Sequence, residues 1–416
     1  MRIVKLTPRT ERWLLARRAQ RDDEAHSVAA TIVADVRKRG DSALFSWTKN
    51  LDELDIAHDG VWISEKEIRA AKAQVSSEFL RAIHNAAKNV RRVAEKQLPR
   101  PWTIETQPGV RISQRVSPIE SIACYIPGGR FSLVSTLVMT AVPAKVAGVS
   151  RIIAVCPKPN PELLATARLL GVEKIARVGG AQAIAALAYG TKSIPRVEKI
   201  FGPGNKYVTA AKQLVSSDCA IDLPAGPTEA IVLAAEGNAR WIASDLLAQA
   251  EHAKDAASFF VTTSRALAQE VQREIKWQLA ELPPGMASFS TETAGAILVA
   301  DSLDQACDFV NRFASEHLSL PENAERLLKK IRSAGTVFLG PWGAQPLGDY
   351  ATGSNHVLPT GGWARKRGGL SAADFVKCLS VQTISRNGFL RLAATVETLA
   401  ESEGLIAHRN AVRIRR

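Results

Sequence analysis

From about Ser117 the chain alternates short apolar runs with helical stretches, and this alternation limits the fold more than any other feature. Glu120 to Ile126, Arg151 to Cys156, Lys174 to Val178 and Val197 to Phe201 read as strands. Between them Ser135 to Ala147, Pro161 to Leu170 and Ala181 to Tyr189 have helical spacing. A second alternation follows: strand-like Glu229 to Ala234, Ala257 to Thr262, Ala296 to Ala300 and Gly335 to Leu339, with helical Ser264 to Leu282 and Asn323 to Ser333. Crossover-length helices between short strands predict an α/β fold in which parallel sheets carry helices on both faces. Such sheets take ligands beyond the carboxyl ends of their strands.

Three loops fall at such ends: Tyr125 to Gly129, Val178 to Gln182 and Phe201 to Asn205. Each puts glycine between a strand and a helix, where backbone can approach a phosphate and a helix N-terminus favours negative charge. None is a G-x-G-x-x-G, so any one alone is weak evidence for a dinucleotide, and strand-to-helix turns need glycine in any case.

With 416 residues the chain exceeds one compact core and calls for two main domains with small extensions. Residues 1 to about 115 read as helical scaffold, notably Ala25 to Lys38 and Glu65 to Arg92, and from Leu370 the chain reads as helical again. No apolar run is long enough to span a bilayer, and Met1-Arg2-Ile3-Val4-Lys5 lacks the features of a signal peptide, so a cytoplasmic protein without membrane partners is expected. Cys124, Cys156, Cys219, Cys307 and Cys378 are odd in number, far apart and without a Cys-x-x-Cys pair, which argues against both a disulfide framework and a thiolate zinc site. The net charge of +13 is concentrated in arginines and lysines at the two ends, not interleaved with aromatics, so solvated termini rather than a nucleic-acid surface are expected.

The polar chemistry gathers around Gln249-Ala250-Glu251-His252, at the end of a helical run that begins near Arg240. Asp245, Gln249 and His252 share one face of that helix. Downstream come Glu316-His317, then Asp349 and His356 bracketing a glycine-containing loop, then His408 near the end. A helix-borne His and Gln with a distant Asp and a distant His form a nitrogen and oxygen set that zinc accepts. The residues alone leave open a solvated helix end with structural histidines. A cleft between a dinucleotide sheet and a metal-bearing sheet is the expected reaction site.

Seven blocks in order, Tyr125-Ile126-Pro127-Gly128-Gly129, Val178-Gly179-Gly180-Ala181-Gln182-Ala183, Phe201-Gly202-Pro203-Gly204-Asn205, Ala225-Gly226-Pro227-Thr228-Glu229, Ala248-Gln249-Ala250-Glu251-His252, Ser315-Glu316-His317-Leu318 and the loop from Gly348 to Thr360, resemble the signature of the histidinol dehydrogenase family. The resemblance runs from about Pro118 to the C-terminus, with a weaker helical match before it. It implies one zinc ion per subunit and two successive NAD-dependent oxidations, from L-histidinol through the aldehyde to L-histidine. By resemblance, Gln249, His252, Asp349 and His408 are the zinc ligands, with His408 reaching across an intertwined homodimer. Tyr125, Gln182 and Asn205 match NAD-contacting positions. Thr228, His317 and Glu403 match substrate-contacting positions alongside the zinc ligands, and Glu316 and His317 match the acid-base pair. Thr228 stands where many relatives carry Ser, and Arg130-Phe131-Ser132 follows Gly129 where the family usually has small residues and proline.

These residue types suit that chemistry. An imidazole with an ordinary pKa of about 6.5 can take the alcohol's proton near neutral pH. A carboxylate such as Glu316 can activate the water that the aldehyde step requires, and Glu403 can meet the ammonium or imidazole of the substrate. The expected organisation is a helical N-terminal extension over residues 1–20 and a first Rossmann-like domain from 21–124 plus 230–370 carrying most of the zinc site. A second Rossmann-like domain over 125–229 would bind NAD, and a helical C-terminal extension over 371–416 would reach the partner subunit.

Overall fold

The computed structural model describes residues 1–18, 22–128, 133–223, 226–283, 290–291 and 294–416. Gly129, Arg130, Phe131, Ser132 and Ala225 of the segments above lie outside the described residues. In chain order the strands are β1 (Arg2–Lys5), β2 (Trp102–Gln107), β3 (Val110–Pro118), β4 (Ser121–Tyr125), β5 (Arg151–Val155), β6 (Lys174–Ala176), β7 (Lys199–Phe201), β8 (Ala220–Ile221), β9 (Glu229–Leu233), β10 (Ala257–Thr262), β11 (Ala296–Val299), β12 (His317–Leu320), β13 (Thr336–Leu339) and β14 (Val376–Ile384).

Two parallel sheets carry the fold. One runs β6-β5-β4-β7-β8, the other β1-β11-β10-β9-β12-β13. Their central strands β4 and β9 are buried along their whole length, as expected where helices cover both faces. Apart from β1, the two sheets have the same order: the first strand of each unit is central, the second and third lie to one side, the fourth and fifth to the other. The order reverses between β4 and β7 in one sheet and between β9 and β12 in the other, the switch points at which such sheets hold ligands. The α/β class and the parallel sheets are therefore as expected.

Three features differ from the sequence-based expectation. Residues 2–5, placed there in a helical extension, form the outer strand β1, paired in parallel with β11. A four-residue strand at a sheet edge is too short to show a period, so its pairing is decided by β11 rather than by local pattern. Residues 102–118 and 376–384, read as helical, form a three-stranded antiparallel sheet β14-β3-β2. Finally, the helices between residues 23 and 97, assigned with 230–370 to one domain, pack on the five-stranded sheet instead. Ala29, Ile32, Val33, Val36, Ala43 and Leu44 share a core with Tyr125, Ile153 and Ile184. Ile68, Ala71 and Val90 share another with Ile122, Leu137 and Ala154.

The loop following Tyr350 bridges the two halves. Asn89 donates to the Ala351 carbonyl at 2.8 Å, Asn355 donates to the Met139 carbonyl at 2.7 Å, and Thr360 accepts from the Gly226 N–H at 2.5 Å. Beyond it, Phe375 stacks on Phe201 with ring centroids 4.1 Å apart. Among the described residues no helix is long and apolar enough to cross a membrane.

Candidate active site

The first cluster sits at the carboxyl edge of the five-stranded sheet. The last residue of β4, Tyr125, is buried, and its hydroxyl accepts from the Gly180 N–H at 3.0 Å. Burial pushes the Tyr125 hydroxyl pKa up, and the charge of Asp52 adds to this against the Gly180 bond. Gln182, in the first turn of helix Gly180–Tyr189, is wholly buried. At the next switch-point loop, Gly202 has φ +114°, and a Cβ there would overlap the Tyr125 carbonyl oxygen, so only glycine lets β7 turn this close to β4. Both polar groups of Gly202 are held: Asp222 accepts from its N–H at 2.7 Å, and Lys212 donates to its carbonyl at 2.9 Å. Lys212 and Asp222 pair with each other while 3% and 1% exposed. Asn205 spends its side-chain oxygen as the cap of helix Lys206–Val215, accepting from Tyr207 and Val208 N–H at 3.1 Å each, which leaves its amide nitrogen to meet a ligand.

The second cluster sits at the opposite edge of the other sheet. Helix Ala239–Ala250 starts at the carboxyl end of β9, capped by Asn238, and runs back antiparallel to the strand. Its end, and so Gln249, lies beside the amino ends of β9 and β12, where His317 is in register with Ala230. Gln249 belongs to the buried face that includes Ile242, Leu246 and Ala250. Its Nε2 donates to Thr228 Oγ1 at 2.5 Å, and Thr228 Oγ1 donates to Glu316 Oε2 at 2.5 Å. Glu316 also accepts from the Glu229 N–H at 3.0 Å. One connected network therefore fixes an amide, a hydroxyl and a carboxyl group.

His317 completes it. The ring is 4% exposed, with Nε2 3.3 Å from Asp349 Oδ1 and Nδ1 3.9 Å from Glu316 Oε2. Neither contact has hydrogen-bond geometry, so both buried ring nitrogens lack a hydrogen-bond partner. Buried imidazole nitrogens without partners are costly in a core and ordinary in a site that holds something. Burial alone pulls the His317 pKa down, but the Glu316 and Asp349 carboxyls outweigh it and raise it. At Asp349 burial pushes upward, while His317, His356 and His252 bring the net pKa below the ordinary carboxylate value.

The remaining expected residues divide. His252, just past the helix end and exposed, bonds through Nδ1 to the Ala248 carbonyl at 3.1 Å, the arrangement that leaves Nε2 as the lone pair. With the Gln249 amide and the Asp349 carboxyl group it supplies the ring nitrogen and the oxygens that suit zinc, so the donor chemistry fits that ion. Glu403 and His408, at the C-terminal helices Arg386–Ser402 and Ile406–Arg413, are exposed and are not brought to this cluster within one chain. Among the described residues no three of His, Cys, Asp and Glu stand close enough to hold a metal, so His408 does not join His252 and Asp349 in a single copy.

Two residues escaped the sequence reading. Gln345, 2% exposed, donates from Nε2 to Gln249 Oε1 and so fixes the amide from the other side. Its spacing of four from Asp349 on helix Gln345–Tyr350 was the available signal. Asp52 donates nothing but accepts from Gln182 Nε2 at 3.0 Å, and no local pattern marks it. His356, singled out without a role, bonds the Asp349 carbonyl at 2.8 Å and anchors that loop.

A family model for histidinol dehydrogenase matches residues 15–416. Histidinol dehydrogenase of Geobacter sulfurreducens is 45% identical over 97% of this chain and 96% of its own length. That of Methanosarcina barkeri is 44% identical over 97% of this chain and 94% of its own, and that of Salmonella typhimurium 42% over 98% and 95%. The crystal structure of histidinol dehydrogenase from Elizabethkingia anophelis superposes with a TM-score of 0.94 at 38% identity, covering 100% of this chain and 98% of that one. Two sheets of one strand order, seven signature blocks and relatives aligned nearly end to end place this chain in the histidinol dehydrogenase family, as an enzyme of the oxidoreductase class.

Proposed function

We propose that the chain oxidises L-histidinol through L-histidinal to L-histidine, the closing steps of histidine biosynthesis, using zinc and NAD in the cytoplasm. The observation that supports it most is the buried His317, its ring nitrogens without a hydrogen-bond partner, held between Glu316 and Asp349 at the end of the Gln249-Thr228-Glu316 network.

Gln249, His252 and Asp349 would hold one zinc ion per subunit, completed by His408 of the partner subunit. Bound there, zinc supplies a fixed point for the imidazole and amino nitrogens of the substrate. Tyr125, Gln182 and Asn205 would hold NAD, which takes one hydride in each oxidation. His317 takes the alcohol proton, favoured by the two neighbouring carboxyls that raise its pKa. In the second step Glu316, oriented by Thr228 and the Glu229 N–H, draws a proton from the water that adds to the aldehyde. Two hydrides leave and one water enters. Thr228 positions Gln249 and Glu316 and borders the substrate, while Glu403 meets its cationic end.

A homodimer accounts for the C-terminal arm. Leu390, Leu399, Leu405 and Ile406 are all exposed on the pair of helices and the turn between them that present Glu403 and His408. An apolar arm of this kind is explained if it is buried against a second copy.

The test is purified enzyme with L-histidinol and NAD, with and without a chelator, counting NADH per histidine. Two NADH per histidine, lost on chelation, is expected. Faster turnover of other amino alcohols or sulfonated diols would move the substrate assignment, and no NADH from any of them, with salt-sensitive retention of nucleic acid, would favour a basic binding protein instead.

A further inference from the structure

Beside Tyr125, the carboxyl edge of the five-stranded sheet holds two hydrogen-bond acceptors that the family blocks do not include together. Gln182 Nε2 donates to Asp52 Oδ2 at 3.0 Å. Turning the amide over would face two oxygens at that distance, so this bond dictates where the other end of Gln182 points. That end, Oε1, is buried and has no partner. Asp52 is the last residue of helix Asp41–Asp52, half-buried, and Gln182 is the partner its carboxyl group accepts from. Among the described residues, Lys158 is the cation whose charge acts on Asp52, and it also lies 4.0 Å from Glu53, so its charge is not given to Asp52 alone.

We propose that Asp52 selects NAD over its 2′-phosphorylated form, its carboxylate and the Gln182 amide oxygen together accepting the two vicinal hydroxyls of a nucleotide ribose. The assignment rests on the reading of this cleft as the dinucleotide site. A ribose diol brings two donors to two acceptors, one of them an orphan in a buried position. A 2′-phosphate brings only acceptor oxygens and close to two negative charges to a carboxylate. In dinucleotide sheets the discriminating acid usually follows the second strand. Here that position, after β5, reads Cys156-Pro157-Lys158, with no acid. Asp52 enters the same edge from a helix outside the sheet.

The experiment compares the parent enzyme with Asp52→Ala and Asp52→Asn, measuring kcat and KM with NAD and with NADP, and thermal stability. The parent should prefer NAD strongly. Asp52→Ala should lose about tenfold or more in kcat/KM for NAD, mostly through KM, and the NADP to NAD ratio should rise by about tenfold, the size expected for a hydrogen bond to a charged group. Asp52→Asn, which keeps the shape and removes the charge, should raise that ratio with a smaller loss on NAD. A ratio unchanged within about twofold in both variants, with NAD and NADP falling together, would show a structural role and overturn the assignment. A parent that binds neither dinucleotide would remove the cleft reading itself, and the assignment with it.

Discussion

The two parallel sheets share one strand order yet gather their polar side chains at opposite ends. At the β4/β7 switch point the five-stranded sheet places glycine turns and helix N-termini at its carboxyl edge. At the β9/β12 switch point the corresponding crevice is lined by Trp241, Pro321, Pro341, Asp245 and Glu322. Two acids and bulky rings make that edge unreceptive to an anion, and the Gln249, Glu316 and His317 chemistry sits at the amino edge instead. Strand order therefore says where a crevice forms, but the side chains decide whether it is a site.

The largest expected effect concerns the amino edge. His317→Asn should lower kcat for both oxidations by about a thousandfold, within the range for losing a general base, and leave NAD affinity unchanged within about twofold. Glu316→Gln should slow the aldehyde step by about a hundredfold and the alcohol step less. Stopped-flow measurement of each step checks both, and histidine formation at the parental rate in Glu316→Gln would end its assigned role.

Next comes the clamp at the other edge. Lys212→Met strands the buried Asp222 carboxylate and should cost about 3 kcal/mol or more in urea unfolding, because breaking a buried pair leaves an uncompensated charge. A loss under about 1 kcal/mol would mean that the pair is not holding Gly202.

Asp245 sharpens the comparison at the β9/β12 crevice. Burial raises its pKa from 3.8 to about 6. The folded state then binds this proton more tightly than the unfolded chain, so the penalty is full above about pH 6 and relieved as pH falls toward 3.8. Asp245→Asn should stabilise the protein by about 2–3 kcal/mol at pH 8 and far less at pH 4. Equal gains at both pH values would show that charge is not the cause. The smallest effect belongs to the rim of the same sheet, where Lys5 and Asp301 pair 3.0 Å apart with side chains 64% and 67% exposed. Lys5→Ala should change stability by no more than about 0.5 kcal/mol.

Much of this was legible from local pattern. The alternation from Ser117 onward located β4 to β7, β9 to β11 and β13, because buried parallel strands are short apolar runs between turn formers. β1 and β14 were not legible, since one is four residues long and the other is mostly exposed, so each is settled by a distant partner. The His317 and Gln249 blocks stood out as motifs, but which edge of the sheet they occupy follows from the direction of helix Ala239–Ala250. Gln345 and Asp52 act through single side-chain bonds across 96 and 130 positions; the spacing of Gln345 from Asp349 hints at the first, and no local spacing encodes the second.

The opposed use of the two edges is most directly tested by anomalous diffraction at the zinc edge from crystals of the metal-loaded protein. The expected result is one strong peak per chain between Gln249, His252 and Asp349, at the amino ends of β9 and β12. A peak in the crevice of Asp245 and Glu322, or none at the amino edge, would contradict it.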